Sequence, residues 1–334
     1  MQLFKNPTIL IFIFILFQAW ISGCINNAER DNPLDPKSNN YQHKGIIRGK
    51  IYTYYPPYRP LASAEILVTP GHYWTISNQN GEFTISNLPE NEYSIYVSLS
   101  GYTPDSVKIN LKPGSNENLQ FYLNAGPQFV NYTISSGHIS RWWPYDLYLI
   151  KANVEVADSD GLADVSLVRL NLPAFDFTDS LNRTANPAIF SGIFYREQFS
   201  VTNLHRVLGH PFYLQVQDSP GAICESLPIY IARIIENEET PIPISPQGLE
   251  SVAPQPILVW QKLILPYSFS YKIEVTRVDE EFRTLVWSVE EVDSDSTSIR
   301  VAEPLTSATY FWTVSAVDEF GNWSRSKEAP FRVE

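Results

Sequence analysis

The segment "DSDGLAD" places three carboxylates, Asp158, Asp160 and Asp164, around Gly161. Calcium is bound by about six to eight oxygen atoms, and short acidic loops with a glycine can supply several of them. The same residues also suit an acidic turn between two strands, because Asp accepts hydrogen bonds from turn backbone and Gly adopts positive φ. Two interpretations therefore stay open: a calcium site at these three aspartates, or a hairpin turn without an ion.

Two aromatic segments could bind a ligand, namely "YTYYPPYRP" and "RWWPYDLY". Aromatic rings stack on sugars or anchor protein partners, and a proline-stiffened loop loses little entropy on binding. An arginine in the first segment adds a donor suited to carboxylates. The alternative is that the rings pack in a core or under loops. The candidate ligand-binding residues are Tyr54, Tyr55, Tyr58, Arg59, Trp142 and Trp143.

No catalytic motif is present in the chain. It lacks the zinc-protease HExxH, the nucleophile elbow GxSxG, a phosphate loop and CxxC. His205 and His210 stand five apart, a spacing that favours loop or surface histidines over a metal pair. The sequence therefore predicts a non-enzyme with no cofactor, apart from the calcium considered above. A hydrolase with an unrecognised site is the less favoured alternative.

The beginning of the chain has a basic residue, an apolar run from Ile9 to Phe17, and small residues before Cys24. This arrangement is typical of a secretory signal peptide, and the run is shorter than the roughly 20 residues that a membrane span needs. The ending "ISGC" resembles the lipobox of bacterial lipoprotein precursors. The resemblance implies that residues 1–23 are removed and Cys24 is acylated. An ordinary signal peptide with a chance cysteine is the alternative.

Residues 24–44 predict a tether, because they are polar and too poor in hydrophobic residues to bury a core. Two or more acyl chains anchor a protein stably, so the membrane is the first expected partner. The residue after the cysteine is Ile25, and the lipoprotein resemblance implies outer-membrane sorting when aspartate is absent there. The expected location is the cell envelope, on the periplasmic or the surface face.

The chain has 334 residues and a formal net charge of -12 without basic runs, which argues against nucleic acid binding. Only two cysteines occur, Cys24 and Cys224. If Cys24 carries lipid, no intramolecular disulfide can form, so hydrophobic cores must stabilise the fold. Abundant Tyr and Phe and frequent Pro are typical of strands and turns.

Residues 45–124 alternate apolar and polar positions in short runs separated by turn signals, which predicts a β-sandwich. The order "GIIRGKIY", "PLASAEILV", "NGEFTISNLPENEYSIYV" and "LQFYL" resembles the carboxypeptidase regulatory-like domain, a transthyretin-like sandwich. In that family the domain is a non-catalytic module. The resemblance therefore implies a role in binding or presentation for this part of the chain.

Residues 126–237 resemble a bacterial immunoglobulin-like sandwich, and residues 240–334 resemble a fibronectin type III domain with Trp260 in "PILVWQ". The two segments also repeat each other at a shift of one hundred, since Asp218 matches Asp318 and Gly221 matches Gly321. In each case Asp bonds its own turn backbone and Gly supplies positive φ.

These observations predict an all-β chain of three tandem β-sandwich domains, transthyretin-like, immunoglobulin-like and fibronectin type III-like, after a signal peptide and tether. The predicted function is that of a non-catalytic envelope lipoprotein whose sandwiches bind a protein or another ligand. The alternative is a carbohydrate-binding lipoprotein of a polysaccharide uptake system.

Overall fold

The computed structural model describes Asn32, Asp35, Lys37, Ser38 and residues 44–334 except Glu281. The predicted signal peptide, Cys24 and most of the tether lie outside these residues. The chain forms two compact units, the first ending at Leu123 and the second running from Asn124 to Glu334. Within the described range, none of the helices has the length and apolar character that crossing a bilayer requires. The short 3-10 helices are Pro173–Phe175, Arg196–Phe199, Leu204–Val207 and Asn237–Glu239.

The described residues of the first unit form seven strands in two sheets. The strands are β1 Gly45–Thr53, β2 Glu65–Thr69, β3 Tyr73–Ile76, β4 Glu82–Leu88, β5 Asn91–Ser98, β6 Asp105–Leu111 and β7 Asn116–Leu123. One sheet has the order β4-β1-β7, with β1 and β7 parallel, and the other has the order β3-β2-β5-β6. The predicted alternation is confirmed, because Tyr93, Ile95 and Val97 on β5 all point into one buried core.

The second unit contains seventeen strands. They are β8 Gln128–Ile139, β9 Leu147–Ala157, β10 Val165–Leu172, β11 Phe177–Ser180, β12 Asn182–Arg183, β13 Ile189–Tyr195, β14 Tyr213–Asp218, β15 Ile223–Glu225, β16 Pro243–Ser245, β17 Glu250–Val252, β18 Ile257–Trp260, β19 Phe269–Val278, β20 Arg283–Asp293, β21 Ser298–Arg300, β22 Ala308–Asp318, β23 Trp323–Arg325 and β24 Ala329–Val333. The all-β fold class predicted from the sequence is thereby confirmed.

Two hydrophobic cores lie within the second unit, one built from residues 150–234 and the other from residues 258–333. Two smaller sheets have the orders β11-β10-β14-β15 and β16-β18-β21. The third sheet has ten strands and serves both cores, because β8 pairs in parallel with β23 between Gly137 and Trp323. The boundary at 237–240 stays a prediction.

The last core has features that the fibronectin type III resemblance implies. Trp260 is 1% exposed and packs against Tyr271, with 5.2 Å between the ring centres. The Tyr310 hydroxyl donates to the Thr306 carbonyl at 2.8 Å. A tyrosine bonded to backbone a few residues upstream is the tyrosine corner of immunoglobulin-type sandwiches.

Candidate functional site

The loop between β8 and β9 presents two tryptophans to solvent. Trp142 is 73% exposed and Trp143 is 83% exposed. The loop is braced from within, because Arg141 N donates to Asp146 Oδ1 at 2.9 Å and Arg141 Nε donates to the Tyr145 carbonyl at 3.0 Å. Rings on a braced loop lose less conformational entropy when they bind a ligand.

Trp142 is also fixed from the segment before β24. Its Nε1 donates to the Glu328 carbonyl at 3.0 Å, and the Lys327 ammonium lies over the indole, 4.7 Å from the ring centre. A cation over an indole face is an attractive contact. The orientation of the Trp142 ring is therefore set in advance, although most of the side chain faces solvent.

Trp142 borders a cavity of about 740 Å³, which we call the Trp142 cavity. Small-molecule sites have volumes of roughly 300–1,000 Å³ and combine apolar walls with a few polar groups. The apolar lining residues are Pro241, Ile242, Pro243, Ala329 and Pro330. The lining residues with hydrogen-bonding or charged side chains include Ser140, Asn237, Gln247, Lys327 and Glu328. Trp143 is exposed but lies outside the lining, so the structure brings only one of the two predicted tryptophans to the cavity.

A buried polar network lies behind the cavity wall. His138 Nδ1 lies 2.7 Å from Ser324 Oγ and 3.1 Å from Thr240 Oγ1, and the two hydroxyls are 2.6 Å apart. Burial lowers the pKa of His138, against the opposing charges of Asp146, Glu236 and others. The imidazole is therefore favoured as the neutral form in the folded protein.

Ser324, His138 and Asp146 have the residue types of a catalytic triad, so their geometry bears on catalysis. His138 Nε2 is 3.5 Å from Asp146 Oδ2, a long contact for a hydrogen bond. Ser324 and His138 are both completely buried, and Ser324 Oγ is engaged by Thr240. A nucleophile must reach a substrate carbonyl, and this hydroxyl lies within the sheet. The group is thus a structural cross-link between β8 and β23.

The predicted tyrosine loop lies between β1 and β2 and is closed by Thr53. Thr53 Oγ1 accepts from Arg59 N at 3.0 Å, and Thr53 N donates to the Arg59 carbonyl at 2.9 Å. Tyr54 is 43% exposed, and Tyr58 is 51% exposed with its ring 5.1 Å from that of Tyr122 on β7. Tyr55 is partly buried and meets Tyr54 edge-on at 5.0 Å. None of the three tyrosines is part of the core of the first unit.

The three predicted aspartates do come together, in the turn between β9 and β10. One carboxylate oxygen from each of Asp158, Asp160 and Asp164 lies within 4.8 Å of the others. Asp158 Oδ1 accepts from Asp160 N at 2.8 Å, and Gly161 has a φ of +112°, as the turn interpretation requires. Burial, together with the charges of Asp164, Asp160 and Asp218, raises the pKa of Asp158 to about 6.

Asn124 and Asp218, which the sequence analysis did not assign to this cluster, lie beside it. Asn124 Nδ2 donates to Asp218 Oδ2 at 2.6 Å, and Ala125 N donates to Asp160 Oδ2 at 2.7 Å. The repeat at a shift of one hundred marked Asp218 as a turn residue, but no local pattern pointed to Asn124. Residues 237–248 and 327–330 of the Trp142 cavity were likewise missed, because they reach Trp142 only through the tertiary fold.

Residues 47–130 match the CarboxypepD_reg-like domain family. This match confirms the resemblance for the first part of the chain. No curated protein matches the chain.

Solved structures with similar folds include the FN1–FN3 domains of chicken CNTN1, at 14% identity over 87% of this chain and 98% of that one, with a TM-score of 0.30. The Bacillus cereus major pilin subunit BcpA has 9% identity over 87% and 96%, with a TM-score of 0.28. A candidate carbohydrate-binding protein from Bacteroides uniformis has 12% identity over 56% and 98%, with a TM-score of 0.24. At these scores the likenesses carry no argument about function.

Proposed function

We propose that this protein is a non-catalytic, lipid-anchored binding protein of a bacterial cell envelope, and that its Trp142 cavity holds a neutral saccharide. The observation that carries the proposal is the placement of the exposed, oriented Trp142 ring beside a cavity lined by amide, hydroxyl and carboxylate groups. Sugars present apolar C–H faces and polar hydroxyls together, so an aromatic platform beside hydrogen-bonding side chains suits them.

The charge of the cavity favours a neutral ligand. Its lining carries one cationic side chain, Lys327, and one anionic side chain, Glu328. The whole chain has a formal net charge of -12, which repels polyanions at long range. Asn237 and Gln247 offer both donors and acceptors, which is the chemistry that neutral hydroxyl groups require.

A non-catalytic role is supported by the burial of Ser324 and His138 in the group that they form with Asp146. Ser324 and His138 have no solvent exposure, so they offer no reactive group to a substrate. The first part of the chain matches the CarboxypepD_reg-like family, and the resemblance to that domain implies a non-catalytic module there.

Anchoring through Cys24 is the second element of the proposal and rests on the "ISGC" segment. We expect Cys24→Ala to leave an unprocessed precursor or a soluble product. Cys224→Ser is the matched control and should stay in the membrane fraction. If both variants partition alike into a detergent phase, the lipid anchor is wrong, and the location at the outer membrane loses its basis.

The saccharide proposal is tested on an array of neutral glycans with the full chain in detergent. Trp142→Ala is compared with Trp74→Ala, which removes a tryptophan of almost equal exposure, 72%, from β3 of the first unit. We expect the unaltered protein and Trp74→Ala to retain the same glycans and Trp142→Ala to lose them. Absence of any retained glycan would overturn the proposal.

The tyrosine loop supports a second candidate, the binding of a protein partner. Its exposed rings sit on a loop closed by Thr53, with Arg59 available for a carboxylate. If this is its role, Tyr55→Ala with Tyr58→Ala should leave the melting temperature nearly unchanged while weakening capture of the partner. A loss of several degrees with unchanged capture would make the loop structural.

A further inference from the structure

The aspartates of the turn between β9 and β10 do not stand alone at their edge of the second unit. Residue Gln128 on β8 pairs with Ala157 at the end of β9, and Val165 at the start of β10 pairs with Asp218 at the end of β14. The segment entering β8, the acidic turn and the end of β14 therefore meet at one edge. This topology gathers Asn124, Asp158, Asp160, Asp164 and Asp218.

Asn124 is an observation independent of the acidic cluster. The residue is 7% exposed, and its Nδ2 is used by Asp218 Oδ2. Its carbonyl oxygen, Oδ1, is buried and accepts no hydrogen bond from the described residues. A buried amide oxygen without a donor destabilises the folded state, so such an atom calls for a ligand. Asp158 Oδ2 is likewise buried and accepts no hydrogen bond from the described residues.

The charge at this edge is also uncompensated. Asp218 is 1% exposed, yet no lysine or arginine of the described chain lies within ion-pair distance of Asp158, Asp160 or Asp218. Buried carboxylates are normally paired with a cation or coordinate a metal. The equivalent residue in the repeat, Asp318, does have a cation, Arg233 Nη1 at 2.7 Å.

We propose that Asn124, Asp158, Asp160, Asp164 and Asp218 form a calcium-binding site. All five side chains offer oxygen, which suits hard cations, and nitrogen and sulfur ligands are lacking from the group. Calcium accepts the irregular geometry of a turn joined to two other segments, whereas magnesium demands a near-ideal octahedron and keeps its waters. The site is separate from the Trp142 cavity, so the two proposals stand or fall independently.

The test uses the full chain in detergent after chelation, with calcium or magnesium chloride as the probe. Calcium should raise the melting temperature by several degrees and give a calorimetric binding signal, while magnesium at the same concentration should have a much smaller effect. Calorimetry is done on the unaltered protein, so it tests calcium binding even if a variant fails to fold.

Asp160→Asn and Asn124→Ala should remove most of the calcium-dependent rise. Asp295→Asn is the matched control, because Asp293 Oδ1 accepts from Asp295 N at 2.7 Å in a second Asp-Ser-Asp turn, and Asp295 is exposed there. The calcium-dependent rise in the melting temperature of Asp295→Asn should equal that of the unaltered protein. No heat of binding at millimolar calcium, an equal effect of magnesium, or an undiminished rise in Asp160→Asn would each overturn the assignment.

Discussion

Asp218 and Asp318 build the same turn with one carboxylate oxygen and differ in the partner of the other. Asp218 Oδ1 accepts from the backbone of Gly221 and Ala222 at 2.7 and 2.6 Å. Asp318 Oδ1 accepts from Phe320 N and Asn322 N at 2.9 and 2.8 Å. The repeated sequence pattern therefore forms the same turn twice, with a different partner for the second carboxylate oxygen in each copy.

The second carboxylate oxygens, Asp218 Oδ2 and Asp318 Oδ2, have partners of different charge. Asp218 Oδ2 meets the amide of Asn124 beside the acidic turn, whereas Asp318 Oδ2 meets the guanidinium of Arg233. The Asp318 carboxylate is fully buried, so its charge depends on that cation. Arg233 precedes the predicted boundary at 237–240 and Asp318 follows it, so the pair joins the two parts of the second unit.

Removing this cation should be costly. Arg233→Met leaves Asp318 with hydrogen bonds but no counter-charge, and we expect a loss of about 2–3 kcal/mol in the free energy of unfolding by urea. Arg277→Met is the control, because the Arg277–Asp279 pair is largely exposed and should contribute less than about 1 kcal/mol. Equal losses in the two variants would contradict the role given to Arg233.

The buried imidazole of His138 predicts a pH dependence. Burial lowers its pKa below the ordinary value of 6.5, so the folded state holds fewer protons than the unfolded state just below that pH. Its contribution to stability is therefore present above pH 6.5 and is lost as the pH falls through that value towards the folded pKa. Asp146, Glu236 and Glu238 oppose the shift and limit its size.

The prediction for His138 is measured by urea unfolding at pH 7.5 and 5.5. His138→Asn should lose less stability between the two values than the unaltered protein does. The control is His72→Asn, which removes an exposed histidine between β2 and β3 of the first unit and should keep the original pH dependence. If His138→Asn and the unaltered protein respond alike, the neutral buried imidazole is not what couples stability to pH.

The continuous sheet predicts that the two cores of the second unit unfold together. Trp260→Ala empties a large part of one core and should cost about 3–5 kcal/mol. Because β8 pairs with β23 and His138 bonds Ser324, the core around Val154 should lose hydrogen-exchange protection by a similar amount. Unchanged protection around Val154 would instead support separate domains divided near residues 237–240.

The strands were predictable where the alternation of apolar residues was long. On β1 the buried Ile47 and Ile51 alternate with exposed Arg48 and Lys50, and a single pattern of period two places them. The turn at Asp158 was predictable for the same local reason, since Asp and Gly determine its backbone. Such features depend on neighbours in sequence, so one sequence suffices to find them.

The pairing of β8 with β23 was not predictable, because it joins residues such as His138 and Ser324 that lie far apart in the chain. The local sequence of neither strand predicts which strand it pairs with. The Trp142 cavity and the place of Asn124 beside Asp218 depend on the same kind of distant contact. The sequence therefore suggested Trp142 as a ligand-binding residue but could not supply the side chains that surround it.

Saccharide binding at Trp142 is tested by the calorimetric dissociation constant of a neutral oligosaccharide selected on the glycan array. Trp142→Ala removes the stacked ring and should raise the dissociation constant at least about tenfold, which corresponds to about 1.4 kcal/mol. The equally exposed Trp74 provides the comparison, and Trp74→Ala should bind as the unaltered protein does. Equal dissociation constants for Trp142→Ala and the unaltered protein would show that the Trp142 cavity does not bind the saccharide.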